Sequence, residues 1–592
     1  LSGATSAFTW AAGGGDIFQV QQWDVTEFAG KSAIVEIVDH TSEKSGHIEV
    51  DHILQSDASL IANASRIIKV DKRVLNLPVK SGGAVRRMSV MVNGTVQRSF
   101  AIELADGPPD WWVFMDLSSF AGQETTIQVD QLPENSTAFS LMDQSDEPKE
   151  AATIYREPLR PQIHFTSQRG RLNDPNGLVF YQGEYHLFYQ LLPYSLRNGE
   201  KHWGHAVSTD LVHWKELPVA LYPDELGPIY SGSAVVDVDN SAGFQTGKEK
   251  ALVAIYTAAG NPHTQCLAFS NDRGRTWQKY EHNPVMPAIT GGNRDPKVMR
   301  HGKQWIMIVF TGQDRFAILT SPDLKRWERV GEVAIPGDAE CPELFEIPLN
   351  GNKADTRWIV CGAKGLYLIG QFDGTEFTSE SGPHSLNTGN SFYAAQTFSD
   401  IPDEDGRRIL IPWSPGDFPG MPFSQSLGLP VELTLRTTAD GPRLFASPVK
   451  ELATLRTGSQ SSEAQPLAAG RKVLMESVAD LFELETEIAI GNANQIDLNF
   501  RGVRISYNAT RQELTCLGKK SSLEKGDGRI RLHVFCDGGL VDVFANGGAV
   551  YMPMKVEFPA DNRSLGIETK GEGAQLVSFR YHHLKSAWTP HP

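Results

Sequence analysis

A short motif recurs through the middle of the chain at a spacing that leaves few folds open. Ser208-Thr209-Asp210-Leu211-Val212-His213-Trp214 is matched by Ser270-Asn271-Asp272-Arg273-Gly274-Arg275-Thr276-Trp277 and by Ser321-Pro322-Asp323-Leu324-Lys325-Arg326-Trp327. Phe372-Asp373-Gly374-Thr375-Glu376-Phe377 is a weaker copy. The anchoring aromatics at 214, 277, 327 and 377 lie 63, 50 and 50 residues apart. A repeat of roughly 50 residues built of short strands is the unit of a β-propeller blade. Residues 155–445 hold about five such units.

Both flanks read as antiparallel β modules. Met88, Val90 and Val92 alternate with polar neighbours and run into Asn93-Gly94, after which Phe100, Ile102 and Leu104 keep the period of two. Asn-Gly between alternating segments is a strong hairpin signal, because both turn residues need φ > 0. Asp537-Gly538-Gly539 and Asn546-Gly547-Gly548 repeat this grammar near the C-terminus. Two stretches read as linkers: 144–158, acidic and proline-bearing, and 457–470, rich in Ser, Gly, Gln and Ala. The chain is therefore expected to be all-β, with a β-rich accessory region at 1–150, a five-bladed propeller at 155–445 and a β-sandwich at 465–592. Within the first region, 28–57 looks like the end strands of a galactose-binding-like sandwich. Trp111-Trp112 reads as core in preference to a sugar platform.

Charge narrows the partners. Lys plus Arg is 55 and Asp plus Glu is 71, for a net charge of −16. That argues against coating nucleic acid or an anionic membrane, and leaves a neutral ligand such as a sugar open. No run of about 18 apolar residues is present, so no membrane insertion is expected. The five cysteines are widely spaced, with no CxxC, and HExxH and the Gly-rich phosphate loops are missing. Neither a metal nor a cofactor is expected. The oligomeric state is not legible. A secreted or periplasmic address is expected, although no leader is visible ahead of Leu1.

Three carboxylate segments stand out. Asn173-Asp174-Pro175-Asn176-Gly177 precedes a hairpin; taken alone it reads as turn chemistry. Asn293-Arg294-Asp295-Pro296-Lys297 alone reads as an ion pair. Glu340-Cys341-Pro342 alone reads as a surface loop. Together, and in this order, they resemble the three carboxylate motifs of glycoside hydrolase family 32, the β-fructofuranosidases: invertases, inulinases and levanases. The likeness runs from about 160 to 542. It includes Tyr185-His186-Leu187-Phe188-Tyr189-Gln190, His202-Trp203-Gly204-His205, Tyr230-Ser231-Gly232-Ser233, Phe392-Tyr393-Ala394-Ala395-Gln396 and Ile411-Pro412-Trp413.

The resemblance implies a five-bladed propeller followed by a sandwich, acting on a fructan or fructo-oligosaccharide. It implies Asp174 as nucleophile, Glu340 as general acid/base and Asp295 as transition-state stabiliser in a retaining mechanism. Two nearby carboxylates push their pKa values apart, and burial is expected to raise that of Glu340. Asn173, Gln190, Ser231 and Arg294 are implied as hydrogen-bond partners of the sugar, and Trp203 and Trp413 as flat faces for the furanose ring.

The chain also departs from the family pattern. Arg171-Leu172 stands where Trp-Met is usual, Ser391 replaces an Asp before Phe-Tyr-Ala, and 191–202 lacks the usual Tyr-Asn-Pro. An altered subsite is expected, with the chemistry kept. An endo-levanase or fructosyltransferase would use the same triad. A silent carbohydrate-binding propeller would not need it. A five-bladed arabinan-type hydrolase is disfavoured by the Asn-Asp-Pro-Asn-Gly and Glu-Cys-Pro pair.

Overall fold

The computed structural model describes residues 59–559 and 561–588, together with 25, 28–32 and 34. The strands expected within 28–57 lie outside the described residues, apart from 28–32 and 34. The architecture is all-β, and among the described residues the only α-helix is the four-residue Ala138–Leu141. The chain forms two compact units, one of 1–151 with 192–200 and one of 152–191 with 201–592.

In the first unit, Leu60–Lys69, Glu124–Pro133, Val85–Val92 and Thr95–Glu103 form an antiparallel sheet in that order. Trp111–Asp116, Val74–Val79 and Asp143–Ser145 form a second. Strict alternation in Val85–Val92 turns Met88, Val90 and Val92 inward against Phe100, Ile102 and Leu77. Asn93 (φ 50°) and Gly94 (φ 77°) close the hairpin, with Val92 opposite Thr95. Trp111 is core, its Nε1 donating to Ser81 Oγ at 3.0 Å. Trp112 is half-buried under Lys149, whose Nζ lies 3.6 Å from the ring centre.

The second unit contains the propeller. Antiparallel meanders begin at Gly170–Tyr181, Ile229–Asp237, Arg294–His301 and Glu343–Leu349. The last joins Tyr393–Thr397, Arg408–Ser414 and Val431–Thr438 in one larger sheet. First strands neighbour first strands: Gly170–Tyr181 touches Ile229–Asp237 and Tyr393–Thr397, and Ile229–Asp237 touches Arg294–His301. The ring closes where Phe423–Ser424 pairs in parallel with Gly170 and Arg171.

The recurring motif has one structural job. It turns the chain between the third and fourth strands of each meander. Asp210 accepts the backbone N–H groups of Val212 and His213, and Asp323 those of Lys325 and Arg326. Asp272 accepts that of Thr276, and Asp373 those of Thr375 and Glu376. The three tryptophans each donate Nε1 to the carbonyl three residues back: Trp214 to Leu211, Trp277 to Gly274 and Trp327 to Leu324, at 2.8–3.0 Å. A short acceptor side chain capping its own turn is the reason for Asp there. Each such bond is worth about 1 kcal/mol.

The sandwich packs a sheet containing Leu481–Ala489, Arg529–Asp537, Leu540–Ala545 and Ala574–Leu584 on one containing Gln495–Phe500, Val503–Asn508 and Leu565–Lys570. Phe482, Leu484, Leu498, Phe500, Val541 and Tyr581 fill the space between them. The stretch 457–470 is largely not a linker. Arg456–Ser462 and Gln465–Leu467 pair with Ala574–Leu584 as an exposed edge, which needs backbone hydrogen bonds and few apolar side chains. The stretch 144–158 is partly ordered too: Tyr155 is buried, with its ring 4.1 Å from that of Trp588. The join of propeller and sandwich runs through His164, whose ring nitrogens meet Asp537 (2.9 Å) and Asp542 (2.8 Å).

Candidate active site

The three carboxylates, Ser231, Arg294 and Tyr393 sit on the innermost strands or in the loop just before them. Asp174 lies on Gly170–Tyr181, Ser231 on Ile229–Asp237, and Arg294 and Asp295 on Arg294–His301. Glu340 precedes Glu343–Leu349, and Tyr393 begins Tyr393–Thr397.

The local backbone is irregular where chemistry is needed. Pairing register slips between Ile229 and Gly232, between Arg294 and Lys297, and between Tyr393 and Gln396. Such bulges re-aim side chains. Asp295, Glu340, Cys341 and Ala394 all have positive φ, 64°, 59°, 40° and 46°. Non-glycine residues held there cost of order 1–3 kcal/mol each. Gly232 is required by closeness, since a Cβ on it would stand 2.0 Å from the Ile255 carbonyl oxygen.

Three carboxyl groups converge. The Cys341 thiol lies 3.6 Å from Oδ2 of both Asp174 and Asp295, and the Cys341 N–H donates to Asp295 at 3.2 Å. Arg294 grips Glu340 Oε1 through Nη2 (2.6 Å) and Nε (3.2 Å), and its Nε lies 3.8 Å from Asp295. The Tyr393 hydroxyl donates to the other Glu340 oxygen at 2.5 Å. Gln190 Nε2 donates to Ser231 Oγ (2.7 Å), and Ser231 Oγ donates to Asp174 Oδ2 (2.5 Å). Asp295 is 6% exposed, whereas the Glu340 side chain is 31% exposed. A small cavity bordered by Pro175, Ser231, Asp295, Cys341 and Gln396 lies beside these groups.

Electrostatics separates the three. Burial pushes the Asp174 carboxyl above its usual range, partly offset by the Ser231 hydrogen bond and the charge of Lys201. Asp295 is raised to about 7, first by burial and then by the neighbouring Asp174 charge. Burial also pushes Glu340 up, but the hydrogen bonds from Tyr393 and Arg294 outweigh it, and the net shift is downward. This reverses the sequence expectation of a raised Glu340. The arginine fork and the tyrosine hydroxyl satisfy its charged form. Such a trio titrates as a coupled set.

Gln190, Ser231 and Arg294 lie among the carboxylates, whereas Asn173 and the two tryptophans are placed otherwise. Asn173 is buried, its Oδ1 accepting from Arg171 Nε at 3.2 Å. Arg171 also reaches Asp417 (3.4 Å). Trp203 is fully buried, packed against Phe188 and Gly177, with Nε1 donating to the Tyr230 carbonyl (3.0 Å). It offers no exposed face to a sugar here. It backs the strand opposite Gln190 instead. Trp413 is half-buried, paired in register with Tyr393. Ser391 is buried on Ser414 Oγ (2.7 Å). Sequence reasoning missed Tyr393 and Lys201 as site residues. Tyr393 lies inside a motif already noted, whereas nothing local marks Lys201.

Among the described residues one group has ligand-like spacing, Glu483, Glu485 and His533, and Arg456 already binds both glutamates.

Carboxyl groups of contrasting ionisation brought close together suit the acid and nucleophile roles of a glycoside hydrolase. Residues 164–448 match the model of the glycosyl hydrolases family 32 N-terminal domain, and 451–583 that of the family's C-terminal domain. A levanase of Bacillus subtilis is 38% identical over 74% of this chain and 72% of its own. An extracellular exo-inulinase of Aspergillus niger is 29% identical over 73% and 96%. The crystal structure of an Aspergillus awamori exo-inulinase superposes with a TM-score of 0.67 at 25% identity, covering 73% of this chain and all of that one. A Schwanniomyces occidentalis fructofuranosidase complexed with fructose gives 0.65 at 26%, over 74% and 99%. The chain belongs to glycosyl hydrolase family 32.

Proposed function

We propose that the protein releases fructose from β-fructans or sucrose-type substrates by double displacement. The carrying observation is the convergence of Asp174, Asp295 and Glu340 around Cys341 and Arg294. Asp174, oriented by Ser231, attacks the anomeric C2 of a fructosyl unit. Glu340 gives its proton to the leaving oxygen, and a covalent fructosyl-enzyme forms. Glu340 then takes a proton from water, which attacks C2 and frees the sugar. Asp295 binds fructose hydroxyls and stabilises the positive charge of the oxocarbenium-like state.

The lowered pKa of Glu340 fits a substrate-driven step. Sugar hydroxyls compete for the Arg294 fork that now holds Glu340 charged. Excluding water strengthens the field of the two aspartates on it. Both effects move Glu340 toward its protonated form. The likeness to a levanase at 38% identity puts levan first among polymers to try. An exported address follows the relatives described as extracellular.

The test is a product chromatogram after separate incubation with levan, inulin and sucrose, beside an Asp174→Asn control. Free fructose, absent from the control, is expected. An oligosaccharide ladder would point to endo or transferase action, and no product from any of the three would sink the reading.

A further inference from the structure

Val550–Lys555 is the last strand of its sheet in the sandwich, paired along one side with Leu540–Ala545. Alternation sends Met552 and Met554 into the sandwich core. Pro553, which has no N–H to give, suits such an edge. An edge strand presents a row of backbone groups that can take a further partner. Here the partner is a propeller loop, 388–391. The Thr388 N–H donates to the Tyr551 carbonyl at 3.0 Å, and the N–H groups of Asn390 and Ser391 both donate to the Pro553 carbonyl, at 3.0 and 3.1 Å. In return the Lys555 N–H donates to Asn390 Oδ1 at 2.8 Å. The fit is close, since a Cβ on Gly389 would stand 2.0 Å from the Pro553 carbonyl oxygen.

This loop leads directly into the site. Tyr393 follows shortly after Ser391 in the chain, and its hydroxyl donates to Glu340. We infer that the sandwich edge is a positioning part of the active centre: by clasping 388–391 it sets Tyr393 on Glu340. The inference rests on Glu340 being the general acid, the role proposed above.

A specific signature follows. Burial opposes the charge of Glu340, while Tyr393, Arg294 and Lys364 favour it. Asp174, Asp295 and the Cys341 thiol also face it. A hydrogen bond is short and directional, so shifting the loop weakens the Tyr393 contact first. Glu340 then keeps its proton to higher pH. The kcat/KM profile reports the free enzyme, so its basic limb moves up. Asn390 is exposed and carries no charge, so its removal changes the limb only through the loop. Loss of stability alone would not move the limb.

The experiment uses the full chain and reads kcat/KM against pH on levan and sucrose for Asn390→Ala, Gly389→Ala, Tyr393→Phe and the double variant Asn390→Ala with Tyr393→Phe. Asn390→Ala and Gly389→Ala are expected to move the basic limb to higher pH, in the direction of Tyr393→Phe and by less. Above the optimum this raises kcat/KM roughly 2- to 5-fold relative to its maximum, part of the effect of one hydrogen bond. In the Tyr393→Phe background Asn390→Ala adds no further shift, because the contact it acts through is gone. Should Gly389→Ala fail to fold, Asn390→Ala carries the same expectation. A folded Asn390→Ala variant with the parental limb, or a shift that persists undiminished in the double variant, would overturn the inference. A limb unmoved by Tyr393→Phe itself would overturn the acid role of Glu340 and the inference with it. A parent inactive on both substrates would instead sink the proposed function, on which the inference stands.

Discussion

Ser231 donates its hydroxyl to Asp174 at 2.5 Å while accepting from Gln190 at 2.7 Å, so one side chain both orients the carboxylate and favours its charge. Ser231→Ala removes that bond and leaves Gln190 unpaired there. A hydrogen bond to a charged group is worth about 1.5–3 kcal/mol, so kcat/KM should fall roughly 10- to 100-fold. The Asp174 pKa rises further, and the acidic limb moves to higher pH. A variant with an unmoved limb would show that Ser231 does not tune Asp174.

Tyr393 acts in the opposite sense on the acid. Its hydrogen bond holds Glu340 below the usual range. Tyr393→Phe lets burial prevail and the Glu340 pKa climbs. If protonated Glu340 is the working form, the basic limb of the pH profile moves to higher pH. A limb that stays or falls would contradict the acid role.

His164 bears on stability. Although burial disfavours its charge, Asp542 and Asp537 raise its pKa to about 9 from an ordinary 6.5. The contribution is therefore present in full below pH 6.5 and lost as pH rises through 9. At about 1.4 kcal/mol per unit it amounts to about 3 kcal/mol at most. Thermal unfolding of the parent should decline across that window. The decline should vanish in His164→Gln, and equal slopes in the two proteins would refute the linkage.

Arg171 sets a cation between Asn173 and Asp417, three residues before Asp174. Arg171→Trp replaces five donors by a flat apolar face and leaves Asp417 to Ser424 and Gln425. The ratio of rates on inulin and levan should change by several-fold, on the scale of one ordinary hydrogen bond. An unchanged ratio would make this departure from the family pattern neutral.

Features set by local chemistry were readable from residues alone. The Asn93-Gly94 hairpin and the Ser-x-Asp turns are closed by their own side chains and backbone, so a few consecutive residues suffice. The carboxylate trio came only with the family resemblance, since its three segments taken singly read as a turn, an ion pair and a surface loop. What escaped depends on distant partners. Trp203 is buried because Phe188 and Gly177 close over it. The polar stretch 457–470 looks like a linker until Ala574–Leu584 supplies the pairing. Glu340 falls below the usual range only once Arg294 and Tyr393 arrive from other strands.

The parallel pairing of Phe423–Ser424 with Gly170 and Arg171 closes the ring three residues from Asp174. The two ends of the propeller, more than 250 positions apart in the chain, must meet before that neighbourhood exists. Contacts of such separation are slow to form, because the loop entropy is lost before the contact is gained. Assembly of the site therefore waits on a long-range contact. A nascent or half-refolded chain has its triad residues but no assembled site, and the regain of activity during refolding is a clock for closure of the ring.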